Sequence, residues 1–256
     1  MSNKDVINVY WAPAIGYSAN GHNEWEMLYP EPTNLYLSLL ENKSNNIGGK
    51  GKSKTFFSCP AVKNQFKNTF VFKNVVQSEY RFDFSKTPAE IEPLSKSYID
   101  FNVRSDFGLN VGPSITFELS YGFFADQPLQ AFFYQPIFHK SQYTQYGTIF
   151  PGNFDIGRWF RSYNVEVQMW NQSGFFKFEE DEPLFYVHFN TDKKIKLHRF
   201  KHSRALDKYM NHCVNSPSFM GENLPLVTRY KKFMESRFNE TILTEIKKNL
   251  TGEHNE

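Results

Sequence analysis

Cysteine is nearly missing from this chain of 256 residues: Cys59 and Cys213 are its two thiols. Two thiols cannot staple a small disulfide scaffold or supply a four-thiolate metal site, so both are read as reduced and partly buried. Alanine is scarce as well, with 8 residues against 27 Phe and 14 Tyr, so rings rather than small aliphatic groups must fill the interior. No apolar run approaches the roughly 18 residues that a membrane-spanning helix needs. The opening MSNKDVINVYWAPAIG carries no apolar stretch after its lysine of the kind a secretory signal has. The expectation is a soluble protein without membrane contact, in the cytoplasm. Charge of one sign is lacking too: 29 basic and 27 acidic side chains leave a net +2, so any binding to nucleic acid or an anionic partner has to be local. Dinucleotide glycine fingerprints, HExxH helices, CxxC pairs and nucleophile elbows are all absent from the sequence. Gly51-Lys52-Ser53 ends like a phosphate loop, but position 46 is Asn where such a loop needs glycine.

What the chain does have is a series of short aromatic or β-branched runs cut apart by turn residues. Over residues 175–200, FFKF, LFYVHF and IKLHRF are separated by EEDEP and NTDKK, a pattern that predicts three successive strands of an antiparallel meander. Similar runs cover 6–10, 56–59, 69–72, 80–84, 98–103, 114–121, 130–134, 146–150 and 165–170. Short strands at this spacing predict a mainly β protein, a jelly-roll-like β-sandwich. An internal echo fits two related hairpins: Asp126-Gln127-Pro128-Leu129 and Asp181-Glu182-Pro183-Leu184 both follow a Phe pair and precede an aromatic strand. The same tetrapeptide is also simply a good strand start, because proline is tolerated at a strand's first position.

Residues 34–40 are apolar and read as a helix or turn, and 41–54 as a mobile basic surface loop. Beyond Ser203, a candidate N-cap, Leu206, Tyr209, Met210, Cys213 and Val214 take helical spacing. Leu226, Tyr230, Met234, Phe238, Ile242, Ile246 and Leu250 then recur every fourth residue, which predicts one amphipathic helix of about six turns. The organisation expected is a sandwich over 1–202, two helices packed on it over 203–250, and a frayed tail over 251–256.

Four groups of residues invite chemistry. His22, Glu24 and His188 are the two-histidine, one-carboxylate set with which non-haem oxygenases hold Fe(II) on jelly-roll scaffolds. Arg199, eleven positions after His188, is placed like the basic residue that holds the carboxylate of 2-oxoglutarate in that class, although Glu24 and His188 stand 164 residues apart. The strand and turn reading of the same residues is a loop pair and a half-buried strand histidine. Lys193, Lys194, Lys196, His198, Arg199, Lys201, His202, Arg204 and Lys208 form the densest basic stretch, suited to an anionic partner such as nucleic acid, or simply a solvated face. In Asp155-Ile156-Gly157-Arg158-Trp159-Phe160-Arg161, Arg158 and Arg161 bracket two rings. The run fits an anion site or an Asp-Arg pair that pins a loop.

Trp11-Ala12-Pro13, Cys59-Pro60-Ala61, Lys67-Asn68-Thr69-Phe70-Val71, Trp159-Phe160-Arg161 and Glu182-Pro183-Leu184-Phe185-Tyr186 together resemble uncharacterised proteins of tailed phages that infect marine bacteria. The resemblance implies a virus-encoded protein acting in the infected cell or the virion, with no activity to carry over. The richness in Phe, Lys and Asn, whose codons are A/T-rich, agrees with an A/T-rich genome. The reading that emerges is a non-enzymatic structural or interaction protein, self-associating or holding a protein partner. An Fe(II)- and 2-oxoglutarate-type oxygenase and an anion- or nucleic-acid-binding module stand as alternatives.

Overall fold

A computed structural model of the chain describes residues 5–14, 28–44, 59–86, 90–94, 101–104, 113–214 and 224–251. In chain order its strands are β1 (Val6–Pro13), β2 (Thr33–Asn34), β3 (Thr69–Lys73), β4 (Ser78–Asp83), β5 (Glu90–Pro93), β6 (Phe101–Arg104), β7 (Ser114–Ala125), β8 (Gln130–Tyr134), β9 (Gly147–Ile149), β10 (Gly152–Asp155), β11 (Ser162–Met169), β12 (Ser173–Phe178), β13 (Pro183–Phe189) and β14 (Lys194–Arg199). Its helices are α1 (Leu35–Ser44), α2 (Pro60–Lys67), α3 (Arg204–Val214), α4 (Leu226–Glu235) and α5 (Asn239–Lys248). The protein is mainly β, as its short aromatic and β-branched runs predict. Among the described residues no helix is long and apolar enough to cross a membrane.

The first sheet runs β14-β1-β7-β11-β9, with β6 also on β7; the second runs β10-β8-β13-β3-β2 and the third β12-β4-β5. Alternation decides which side chains meet between them. From β7, Ile115, Phe117, Leu119, Tyr121 and Phe123 point to one buried face; from the second sheet Phe72, Phe133, Phe185 and Val187 answer them, and from the third Tyr80, Phe82, Phe176 and Phe178. Phe72 is the hub. Its ring stacks on Phe185 at 5.0 Å and meets Trp11, Tyr121 and Phe123 of the first sheet edge-on at 5.7, 5.5 and 5.3 Å. Offset and edge-on aromatic pairs of this kind add about 0.5–1.5 kcal/mol each beyond the area they bury.

The second and third sheets are two ends of one bent pair of strands. Residues 69–83 run antiparallel to 173–189, through the β3/β13 ladder and then the β4/β12 ladder. At the bend Asn74, fully buried, donates from its side chain to the carbonyls of Val76 and Glu179, while its backbone N–H donates to Glu182 O. Asp181 takes a positive φ of 58° at the same corner. Glu182 accepts the backbone N–H groups of Glu179 and Gln142 on its two carboxylate oxygens, and burial lifts its carboxyl above the ordinary range.

This corner overturns the expected meander. β12, β13 and β14 do not pair with one another: they lie in the third, second and first sheets respectively. EEDEP is a corner rather than a hairpin turn, and β14 pairs parallel with β1, near the other end of the chain. Both Asp-x-Pro-Leu segments carry the chain across to the second sheet, where β8 and β13 pair antiparallel.

Helices cover both outer faces. On the first sheet, Tyr10, Ala12, Phe124, Phe160 and Phe200 pack against Leu206, Met210 and Cys213 of α3, Phe233 of α4, and Ile242 and Ile246 of α5. On the second, Val71 and Tyr186 pack against Leu35 and Leu39 of α1 and Phe66 of α2. Ser203 does cap α3, its hydroxyl accepting the Leu206 N–H at 3.3 Å.

The predicted six-turn helix is instead α4 and α5, broken at Arg237, where φ is +55°. The reason is geometric: a strict period of four drifts about 40° per step on a helix of 3.6 residues per turn, so the apolar stripe cannot stay on one face. The break returns Ile242 and Ile246 to the sheet. Three helices, not two, therefore follow the sandwich. At the other end α1 runs to Ser44, four residues into the expected loop; positions 45–54 lie outside the described residues, as do 56–58 of the expected 56–59 strand. Thr251 of the expected tail is held, its backbone N–H donating to Arg199 O at 3.0 Å.

Candidate functional site

The outer face of the second sheet carries a histidine and tyrosine network beneath α1 and α2. Register places Tyr186 between Tyr134 and Val71, and His188 between Phe132 and Thr69. The Thr69 hydroxyl donates to Gln65 O, so at its 2.9 Å contact with His188 Nδ1 the oxygen must accept. His188 therefore carries its proton on Nδ1, and its Nε2 takes no hydrogen bond among the described residues. Burial pulls this imidazole below its ordinary value, with the Gln65 carbonyl opposing the shift.

One rung away, His139 Nδ1 bonds the Tyr186 hydroxyl, His139 Nε2 meets Ser38 Oγ at 3.1 Å, and the Phe138 N–H donates to Tyr186 at 3.3 Å. Burial, aided by the charge of Lys73, lowers the pKa of His139 as well. Two neutral imidazoles thus tie α1 and α2 to the sheet. The sequence reading passed over Ser38, His139 and Tyr186, because three residues from a helix, a loop and a strand make no spacing pattern.

His22 and Glu24 lie outside the described residues. Among the described residues no three His, Cys, Asp or Glu side chains gather as a metal-binding group. His188, with Nε2 open, has the chemistry of an iron ligand. Arg199 does not fit the co-substrate role: its guanidinium donates to Tyr29 O at 3.0 Å and to Glu31 at 2.9 Å and lies over the Trp11 ring at 5.0 Å. It latches the 28–31 segment to the first sheet. Trp11 belongs to the space between the sheets, whereas His188 points to the helix-covered side of the second. The structure does not bring His188 and Arg199 together.

The Asp155 run is a pin. Asp155, buried, accepts the N–H groups of Leu129 and Gly157 at 3.0 Å each and pairs with Arg158 at 3.5 Å. A Cβ on Gly157 would stand 2.1 Å from Gln127 O, so only glycine allows this approach. Arg161, half-buried, stacks over Trp159 at 5.2 Å and donates to Ser162 O, and burial pulls its pKa down.

The basic stretch spreads over two surfaces. On β14 Lys194 and Lys196 are exposed while Ile195 is buried, and His198 stacks on Tyr10 at 5.3 Å. β14 is an edge strand, and lysines there also discourage strand-to-strand association. The second surface lies on α3, whose buried stripe Leu206, Met210 and Cys213 leaves Arg204, Lys208 and His212 exposed on the opposite side. With Ala205, Tyr209 and Phe238 these three line an open groove of about 500 Å³. The Phe238 ring, set at the break between α4 and α5, meets Tyr209 at 5.3 Å and the edge of His212 at 5.7 Å.

Arg204 and Lys208 take no carboxylate partner among the described residues; Asp207, between them, is turned to His202 and Asn211. His202 is buried with Nδ1 unpartnered among the described residues, and burial lowers its pKa, opposed by Asp207. No family model matches the chain, and neither a curated protein nor a solved structure is significantly similar to it.

Proposed function

We propose that this chain is a non-enzymatic interaction protein on a sandwich of jelly-roll type, and that the α3 groove holds an anionic partner. The observation that carries this reading is the pair Arg204 and Lys208, one helical turn apart, beside the partly buried rings of Tyr209 and Phe238 in one groove. Cations set at the rim of a low-dielectric, ring-lined floor attract an anion more strongly than the same cations on an open surface. Lys194 and Lys196 lie on the helix-bearing side of the same sheet and extend the positive field. The jelly-roll description rests on the two face-to-face sheets and on the chain crossings at the two Asp-x-Pro-Leu segments, the parallel β1–β14 pair being the departure from it. The resemblance to phage proteins agrees with a role in assembly or recognition rather than turnover.

The test is titration of the full chain with inorganic polyphosphate at low salt. Binding that weakens at least about tenfold in the double charge reversal R204E/K208E supports the reading. No binding by the wild-type chain at low salt would overturn it.

A further inference from the structure

We infer that the anionic partner is a single-stranded nucleic acid. This deepens the reading above and rests on it. The groove offers two kinds of contact side by side, and each alone would suit a different ligand. Arg204 and Lys208 are four residues apart on α3, a rise of about 6 Å. That separation is of the order of one step between consecutive phosphates of an extended strand, so two neighbouring phosphates can be met by one guanidinium and one ammonium group without bending the backbone.

The rest of the lining is Ala205, Tyr209, His212 and Phe238, a face with three rings. Tyr209 and Phe238 are only partly buried, and both line the groove, so part of their ring surface borders it. A ligand of charge alone, such as a polyphosphate or an acidic peptide, would use the cations and leave that ring surface wet. A ligand with a flat π-face on every charged unit uses both.

A duplex fits poorly, because its bases are stacked inside and it would offer the rings nothing. With Arg204 and Lys208 engaged on phosphates and the rings on base faces, the lining has no amide or carboxylate left to read a base edge, so binding is expected to be tolerant of sequence. Phe238 stands directly after Arg237, whose φ of +55° lies at the break between α4 and α5, and its ring meets Tyr209 and His212.

The experiment measures fluorescence anisotropy of a labelled 12-nucleotide oligothymidylate with the full chain, competed by unlabelled polyphosphate and by a duplex of the same length. Two conservative variants, Tyr209→Leu and Phe238→Leu, are measured beside it, with circular dichroism to confirm that each keeps its fold. The expected result is tighter binding to the single strand than to either competitor, and a loss of at least about fivefold in each variant for the oligonucleotide. Polyphosphate affinity should stay unchanged. Equal affinity for polyphosphate and oligothymidylate, with both variants neutral, would overturn the single-strand inference while leaving anion binding intact; so would preference for the duplex. Failure of oligonucleotide and polyphosphate alike would remove the anion reading itself.

Discussion

The side-chain amide of Asn74 donates to the carbonyl of Glu179 at 2.8 Å, across the corner where one long strand pair turns from the second sheet into the third. The same amide reaches Val76 O at 2.7 Å. Replacing it leaves two carbonyls without their donor in a partly buried place, and a buried group so stranded costs about 1–3 kcal/mol. Asn74→Ala is therefore expected to lower the unfolding free energy by about 2–4 kcal/mol in a urea titration. Asn74→Asp should do no better, because a carboxylate cannot donate to either carbonyl.

Phe72 joins the two main sheets through three ring contacts and stacks on Phe185 of its own sheet, and its truncation tests whether the aromatic core holds the layers together. Phe72→Ala should cost about 3–5 kcal/mol, the range for emptying a buried ring site. Exposed Phe175→Ala should change stability by less than about 0.5 kcal/mol.

Acid should destabilise the protein through its buried imidazoles, with Glu182, whose carboxyl burial raises, working the other way. Burial lowers the pKa of His139, His188 and His202 in the fold. The unfolded chain then takes up protons that the folded chain refuses, so stability falls as the pH drops through the ordinary imidazole value of about 6.5 and is flat above it. Urea midpoints between pH 8 and pH 5 check this. His202→Gln should flatten part of the acid limb, since a protonated His202 has no acceptor for Nδ1 among the described residues.

The two thiols should react at different rates. Cys59 is exposed, whereas burial pushes the Cys213 thiol up to about 12, opposed by Arg161 nearby. Only the thiolate is nucleophilic, so a thiol reagent at pH 8 should label one cysteine in the folded protein and the second only in denaturant.

Strand positions were legible in the sequence because alternation and turn residues act locally. Strand partners were not. EEDEP has the composition of a hairpin turn, and only the buried Asn74, a hundred residues earlier, makes it a corner. β14 finds β1 because Ile195 and Leu197 belong to the same core face as Ile7 and Val9, a match that no local pattern announces. The strict four-residue period did hold the warning of a broken helix, since that period drifts off one face.

The α3 groove was half legible. The basic run and its helical spacing mark Arg204 and Lys208, but Phe238 reaches them from a second helix through the break at Arg237. The polar group of Ser38, His139 and Tyr186 left no trace in the sequence, because it exists only once α1 lies on the second sheet.

The most direct measurement is the salt dependence of oligothymidylate affinity for the wild-type chain and for Lys208→Gln. Each phosphate neutralised on a single strand contributes a slope of about −0.7 to the plot of log affinity against log salt. With Arg204 and Lys208 both engaged, the wild-type slope should be about −1.4, falling to about −0.7 in the variant. A slope near zero in the wild-type chain, or one that Lys208→Gln leaves unchanged, would contradict an anion held in the α3 groove.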